Sequence, residues 1–248
     1  MKIITPVNKR QIALIVILAI VIRLVLLFAA KPWAQSAKQQ LVGADDGWKY
    51  HQCAVSLVEK GLCLESSQDP LLAGGFFTPG YPLFIAAHYL LFGYNPWVVY
   101  LTQILIQGLL ILGIFLIGRE LALPRFAIAF AALLVALDPT AVSISNTLLT
   151  EAILTPLILY AVFYLARNIN NFRWGNISIS ACLLALAAYV KPSTRLFLLP
   201  MLLIVFVISC KSQLSSKIKQ CLLFAVIFFL LIMPCAVRNY HLFGRLEF

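Results

Sequence analysis

Acidic residues are scarce in this chain. Nine Asp and Glu stand against nineteen Lys and Arg, and the four types together make up only 11% of 248 residues. A soluble globular domain carries about a quarter of its residues as charges, so the shortage excludes one here. Histidine is rarer still, with three residues, and no Cys/His spacing suggests a zinc site. The basic residues are split among several loops and form no continuous patch, which argues against a nucleic-acid partner. No small-residue cleavage site follows the first hydrophobic segment, so it reads as a retained anchor and not as a signal peptide.

What fills the chain instead is apolar. Hydrophobic residues make up 62%, and the mean hydropathy is +0.95. This composition predicts an integral membrane protein with a single membrane domain over residues 1–248. Long apolar runs fall near Ile12–Ala30, Trp97–Ile117, Phe126–Leu137, Leu148–Ala166, Ile177–Val190, Leu196–Ser209 and Cys221–Val237. They predict an all-α polytopic fold of about seven transmembrane helices, some needing tilt or local thinning of the bilayer. The stretch Tyr81–Gly93 is shorter and opens on Pro82, so it reads as a re-entrant or interfacial helix.

Charge supports that count, because short cytoplasmic loops collect Lys and Arg. With Tyr81–Gly93 left out of the crossings, one side receives Lys2, Lys9, Arg10, Arg119, Arg125, Arg167, Arg173, Lys211, Lys217 and Lys219. The other receives Asp45, Asp46, Glu59, Glu65, Asp69, Asp138 and Glu151. The N-terminus is therefore expected in the cytoplasm, and the net charge of +10 reads as a topology signal with some attraction to anionic membrane lipid.

The segment from Lys31 to about Pro96 becomes the longest outer connection, and long connections usually carry function. After Asp45 and Asp46, the residues Tyr50, Ala54, Leu57, Val58 and Gly61 recur at helical spacing. They predict an amphipathic helix on the membrane surface, ended by Gly61. Asp45 suits its N-terminus as a cap, and Asp46 lies one turn before Tyr50 on the same face. The following Gly74-Gly75-Phe76-Phe77-Thr78-Pro79-Gly80-Tyr81-Pro82 is a turn-rich entry into the short helix. Cys53 and Cys63 share this loop; a disulfide between them suits an oxidising compartment, but their spacing also fits a helical turn with free thiols, and no disulfide is expected.

In this order the motifs resemble a known family. Arg23 lies inside the first span, Asp46-x-x-x-Tyr50 leads into Ala54-x-x-Leu57-x-x-x-Gly61, and Pro79-Gly80-Tyr81-Pro82 follows. Gly118-Arg119, Pro139, Leu149-Thr150-Glu151, Lys191-Pro192 and Arg238-Asn239-Tyr240 complete the series. The chain resembles GT-C-type glycosyltransferases that use polyprenyl-phosphate sugars, in the branch of bacterial protein mannosyltransferases and lipid A aminoarabinose transferases. No one motif is specific, but their order covers essentially the whole chain.

The resemblance implies a seven-helix module with two juxtamembrane helices in the first outer loop, set in a bacterial inner membrane. It also implies a hexosyl- or pentosyltransferase acting on a lipid-linked sugar at the outer face. Transfer displaces phosphate from the anomeric carbon while the attacking hydroxyl loses a proton, and a placed carboxylate speeds such a step by roughly 10²–10⁴-fold. Asp46 matches the family position for that base, with Asp45 beside it as a cap or supporting acid. Lys191, Arg195, Arg238 and Tyr81 become the donor-phosphate side of the site, and Tyr50 and Glu151 further lining candidates. Each cation has an equally good role as a snorkelling anchor, and both aspartates have one as cap and solvated charge. Arg23 reads as a buried structural charge. A divalent metal is left open, and none is predicted.

Relatives of this type continue beyond the seventh span, often into a soluble C-terminal domain, while this sequence stops at Phe248. The expectations left open are a fragment, an inactive relative, or a short form completed by a partner membrane protein. A different class, a non-catalytic scaffold or a lipid-phosphate carrier or flippase, stands as the alternative.

Overall fold

The computed structural model describes residues 8–40, 45–63, 78–208 and 213–243, which are helical with short connections and contain no strand. Lys2, Glu65, Asp69, Lys211 and the Gly74–Phe77 part of the turn lie outside them. Helix α1 spans Lys9–Ala30, α2 Ala37–Gln40, α3 Asp45–Lys60, α4 Gly80–Phe92 and α5 Pro96–Glu120. Then follow α6 Arg125–Leu137, α7 Pro139–Ser145, α8 Glu151–Asn170, α9 Trp174–Val190, α10 Leu198–Ile208 and α11 Leu214–Phe243.

Among the described residues, α1, α5, α8 and α11 are long and apolar enough to cross a membrane. The α6–α7 pair makes a fifth if its 56° bend counts as one broken span. Helices α4 and α9, and the Pro192–Ile208 segment, are apolar but shorter. The long apolar helices follow from composition, since a helix is the one open-chain element that satisfies its own backbone in lipid.

Packing sets the direction of each helix. Helix α5 runs antiparallel to α1, with Ile20 against Gly108, and alongside α8, with Tyr160 Oη donating to the Leu109 carbonyl. Asn170 at the end of α8 donates to the Glu120 carbonyl at the end of α5, at 2.7 Å. These contacts gather Arg119, Arg125, Arg167 and Arg173 at one end of the bundle. Asp138 and Glu151 lie at the other.

Breaks in these helices are answered by side chains from neighbouring ones. Pro139 cannot donate, and Asp138 caps α7 by accepting from Thr140 N and Ala141 N. The Ala136 carbonyl, which a continuous helix would pair with residue 140, instead accepts from Arg23 Nη1 at 3.2 Å. Arg23 is fully buried and also donates to the Ala19 carbonyl at 3.0 Å. Pro156 inside α8 leaves the Ala152 carbonyl without its i+4 partner, and Gln107 Nε2 supplies a donor at 2.8 Å. In α11 the Tyr189 Oη donates to the Leu231 carbonyl at 2.8 Å, next to the Leu230 carbonyl that Pro234 leaves without its i+4 donor.

Helices α3 and α4 pack together over the ends of this bundle. Ala54 of α3 joins Tyr81, Ile85, Ala86 and Tyr89 of α4 in a core that includes Leu27, Val99, Ile104, Leu148 and Val190. The two therefore form a cover resting on α1, α5, α8 and α9, with the apolar side of α3 turned to the bundle.

One expectation is overturned here. Cys53 and Cys63 are bonded as a disulfide, with their Cα atoms 4.6 Å apart. Ten residues of continuous helix would separate them by about 15 Å. Gly61, with φ of +70°, ends α3 in a conformation that favours glycine, and Ser56 Oγ donates to the Leu62 carbonyl as the chain doubles back. The spacing alone conceals that reversal.

Candidate active site

Tyr50 is the meeting point of three segments. It lies one helical turn after Asp46, whose carboxylate is exposed. Its ring meets Tyr81 edge-on, with centroids 4.9 Å apart. Its hydroxyl is hydrogen-bonded to the Thr150 side chain, and both Asp46 and Glu151 are close enough for their charges to act on it. Burial first, and then those two carboxylates, push the Tyr50 hydroxyl up to about 12. It is therefore a neutral hydrogen-bonding group at physiological pH.

Glu151 opens α8 immediately after that threonine. One carboxylate oxygen accepts from Thr150 Oγ1 at 3.0 Å, and the other pairs with Lys191 Nζ at 2.5 Å. Both side chains of the pair remain more than a third exposed, so it is worth at most about 1 kcal/mol to stability. Its interest is its place, with Lys191 ending α9 where Pro192 prevents the helix from continuing.

Tyr81 is fully buried, and its hydroxyl donates to Gln103 Oε1 at 2.6 Å. The turn before it is pressed onto the end of α9. Thr78 Oγ1 donates to the Val190 carbonyl at 3.1 Å, and a Cβ on Gly80 would stand 2.6 Å from the Tyr189 carbonyl oxygen. Only glycine permits that approach.

The remaining candidates separate. Asp45 is the first residue of α3, and its side chain lies outside the described residues. Arg195 Nε donates to the Pro192 carbonyl within its own turn. Arg238 donates twice to Asn239 Oδ1, at 3.1 and 2.9 Å, and lies near Tyr189 at the same end of the bundle as Lys191. His51 faces inward: it is buried, shares a 2.7 Å hydrogen bond with Tyr89 Oη and stacks on Trp48. Gln103 is not singled out in the sequence, although an amide within an apolar span, like Gln107 one turn on, is a signal for it.

The cover built from the first loop carries an exposed carboxylate and a neutral phenol, and the helix ends it rests on carry the Glu–Lys pair. Residues 77–237 match the model of the dolichyl-phosphate-mannose-protein mannosyltransferase family. The chain belongs to that family. It is a membrane glycosyltransferase by family and by its apolar helices. The matched residues include Tyr81, Glu151, Lys191 and Arg195 and leave out Asp46, Tyr50 and Arg238. No curated protein and no solved structure matches the chain.

Proposed function

We propose that this glycosyltransferase moves a sugar, mannose in the first instance, from a polyprenyl phosphate to an acceptor hydroxyl at the outer face of a bacterial inner membrane. The supporting observation is that Tyr50, one turn from Asp46, is hydrogen-bonded to Thr150, which donates to Glu151, with Lys191 on Glu151. In the reaction the acceptor oxygen bonds to the anomeric carbon, the bond from that carbon to the phosphate oxygen breaks, and the acceptor proton passes to Asp46. The departing phosphate gathers negative charge, which Lys191 stabilises by exchanging its Glu151 partner for the donor. Arg195 and Arg238 add positive charge at the same end, and Tyr81 supports the donor side through Tyr50.

The outer location is supported by the segregation of acids from bases and by the Cys53–Cys63 disulfide, a bond of oxidising compartments. We read α1, α5, α6–α7, α8, α9, α10 and α11 as seven crossings, because their directions alternate.

Protein reconstituted in nanodiscs and supplied with undecaprenyl- or dolichyl-phosphate mannose tests the assignment of the base. Asp46→Asn should lower kcat by at least about 100-fold and leave donor affinity within about threefold. Equal rates for the variant and the parent would remove Asp46 from the mechanism.

A further inference from the structure

Two amides, Gln103 and Gln107, stand four residues apart on α5, and both are buried. An unbonded carboxamide inside a membrane domain costs several kcal/mol, so each needs a reason. For Gln107 the reason is local: it serves the carbonyl that Pro156 leaves open. Gln103 answers no proline.

Its carboxamide instead joins three elements. Oε1 accepts from the Tyr81 hydroxyl of α4 at 2.6 Å. Nε2 donates to the Thr147 carbonyl at 2.8 Å and the Ser145 carbonyl at 3.3 Å. Helix α7 ends at Ser145, whose carbonyl lacks a helical partner, and the Thr147 carbonyl, which also accepts from Leu149 N at 3.0 Å, has a second lone pair for the amide. From Thr147 the chain reaches Thr150 and Glu151 in four residues. From Tyr81 it reaches Tyr50 by ring contact, and Tyr50 closes the circuit on Thr150.

We propose that Gln103 is a positioning residue that sets the register between α3, which carries Asp46, and the head of α8, which carries Glu151. It touches neither donor nor acceptor and acts through Tyr81 and the 145–147 turn. The inference rests on the reading of Asp46 and Glu151 as one active site, while the register itself is a matter of geometry and is measurable without turnover.

Gln103→Met keeps the side-chain shape and removes all three hydrogen bonds. It should lower kcat for undecaprenyl-phosphate mannose by about tenfold or more, with donor KM within about threefold, because small misplacements act on the chemical step. Gln103→Glu has a second signature. As a neutral acid it still accepts from Tyr81 and donates to Thr147, and burial favours that form. Its activity should approach the parent's at low pH and fall as pH rises, which a packing role alone does not produce. Tyr81→Phe added to Gln103→Met should cost less than the sum of the two single changes.

Register is read by the pair Lys49→Cys and Thr155→Cys, exposed positions of α3 and the head of α8 that take no part in the circuit, with Cys182, Cys210, Cys221 and Cys235 replaced by serine. Cross-linking of that pair by a short bis-maleimide, followed by mass spectrometry, should slow at least fivefold when Gln103→Met is added. Equal cross-linking rates, or an unchanged kcat in Gln103→Met, overturn the positioning role. If the parent transfers nothing from either lipid-linked mannose, the donor assignment fails and the cross-linking comparison alone decides the role of Gln103.

Discussion

At the scale of single residues, the site depends on close approaches that side chains elsewhere would prevent. Gly80 is the sharpest case, since any Cβ there meets the Tyr189 backbone carbonyl at 2.6 Å and backbone cannot rotate away. Gly80→Ala should destabilise the protein by about 1–3 kcal/mol, seen as a lower melting temperature in detergent, and should lower transfer by loosening Tyr81. His51 provides a pH test. Burial holds its imidazole below the usual 6.5, so between that lowered value and 6.5 the unfolded chain binds a proton that the folded chain refuses. Stability should therefore be full above about pH 6.5 and fall as pH drops through that window. In His51→Phe, melting temperatures measured from pH 7.5 to 5 should decline less steeply than in the parent. An identical slope would mean that other groups dominate the acid response.

At the scale of elements, neighbouring helices serve carbonyls that breaks leave open, Arg23 at Ala136 and Gln107 at Ala152. Gln107 and Pro156 allow a clean test of this. Gln107→Leu should cost about 1–2 kcal/mol by leaving the Ala152 carbonyl unsatisfied. Pro156→Ala restores an N–H at residue 156, and in that background the same glutamine change should cost markedly less. Equal costs in both backgrounds, measured by thermal melting, would show that the glutamine does not serve the proline. The same example shows what was legible in the sequence. Pro139 announces a break, Asp46 to Gly61 announces an amphipathic helix, and Arg23 in a span announces a buried charge. Which carbonyl each side chain answers depends on neighbours more than 40 residues away for Gln107 and more than 100 for Arg23. The Cys53–Cys63 bond is a local matter instead: it depends on the reversal at Gly61, which the sequence marks as the helix end without showing how sharply the chain doubles back. Within the site, Asp46, Tyr50, Glu151 and Lys191 were visible as motifs. That Tyr50 joins two of those motifs, and that Gln103 supports it, is a property of packing alone.

At the scale of the molecule, charge and helix direction make the same division. Asn170 binds Glu120 at one end, where Arg119, Arg125, Arg167 and Arg173 collect. Lys191 binds Glu151 at the other, near Asp46 and Tyr50. Insertion favours Lys and Arg in short cytoplasmic segments, so the end carrying Asp46 should face outward, where a disulfide persists and where a lipid-linked sugar would meet an external acceptor. Two exposed positions test this directly. In cells, Glu59→Cys at the end of α3 should react with a membrane-impermeant maleimide, and Leu121→Cys, beside Arg119, should react only after the membrane is permeabilised. The Cys53–Cys63 pair should resist alkylation before reduction and accept two labels after it. The opposite labelling pattern would place Asp46 in the cytoplasm, and transfer to an external acceptor would then be impossible whatever the fate of the Asp46→Asn variant.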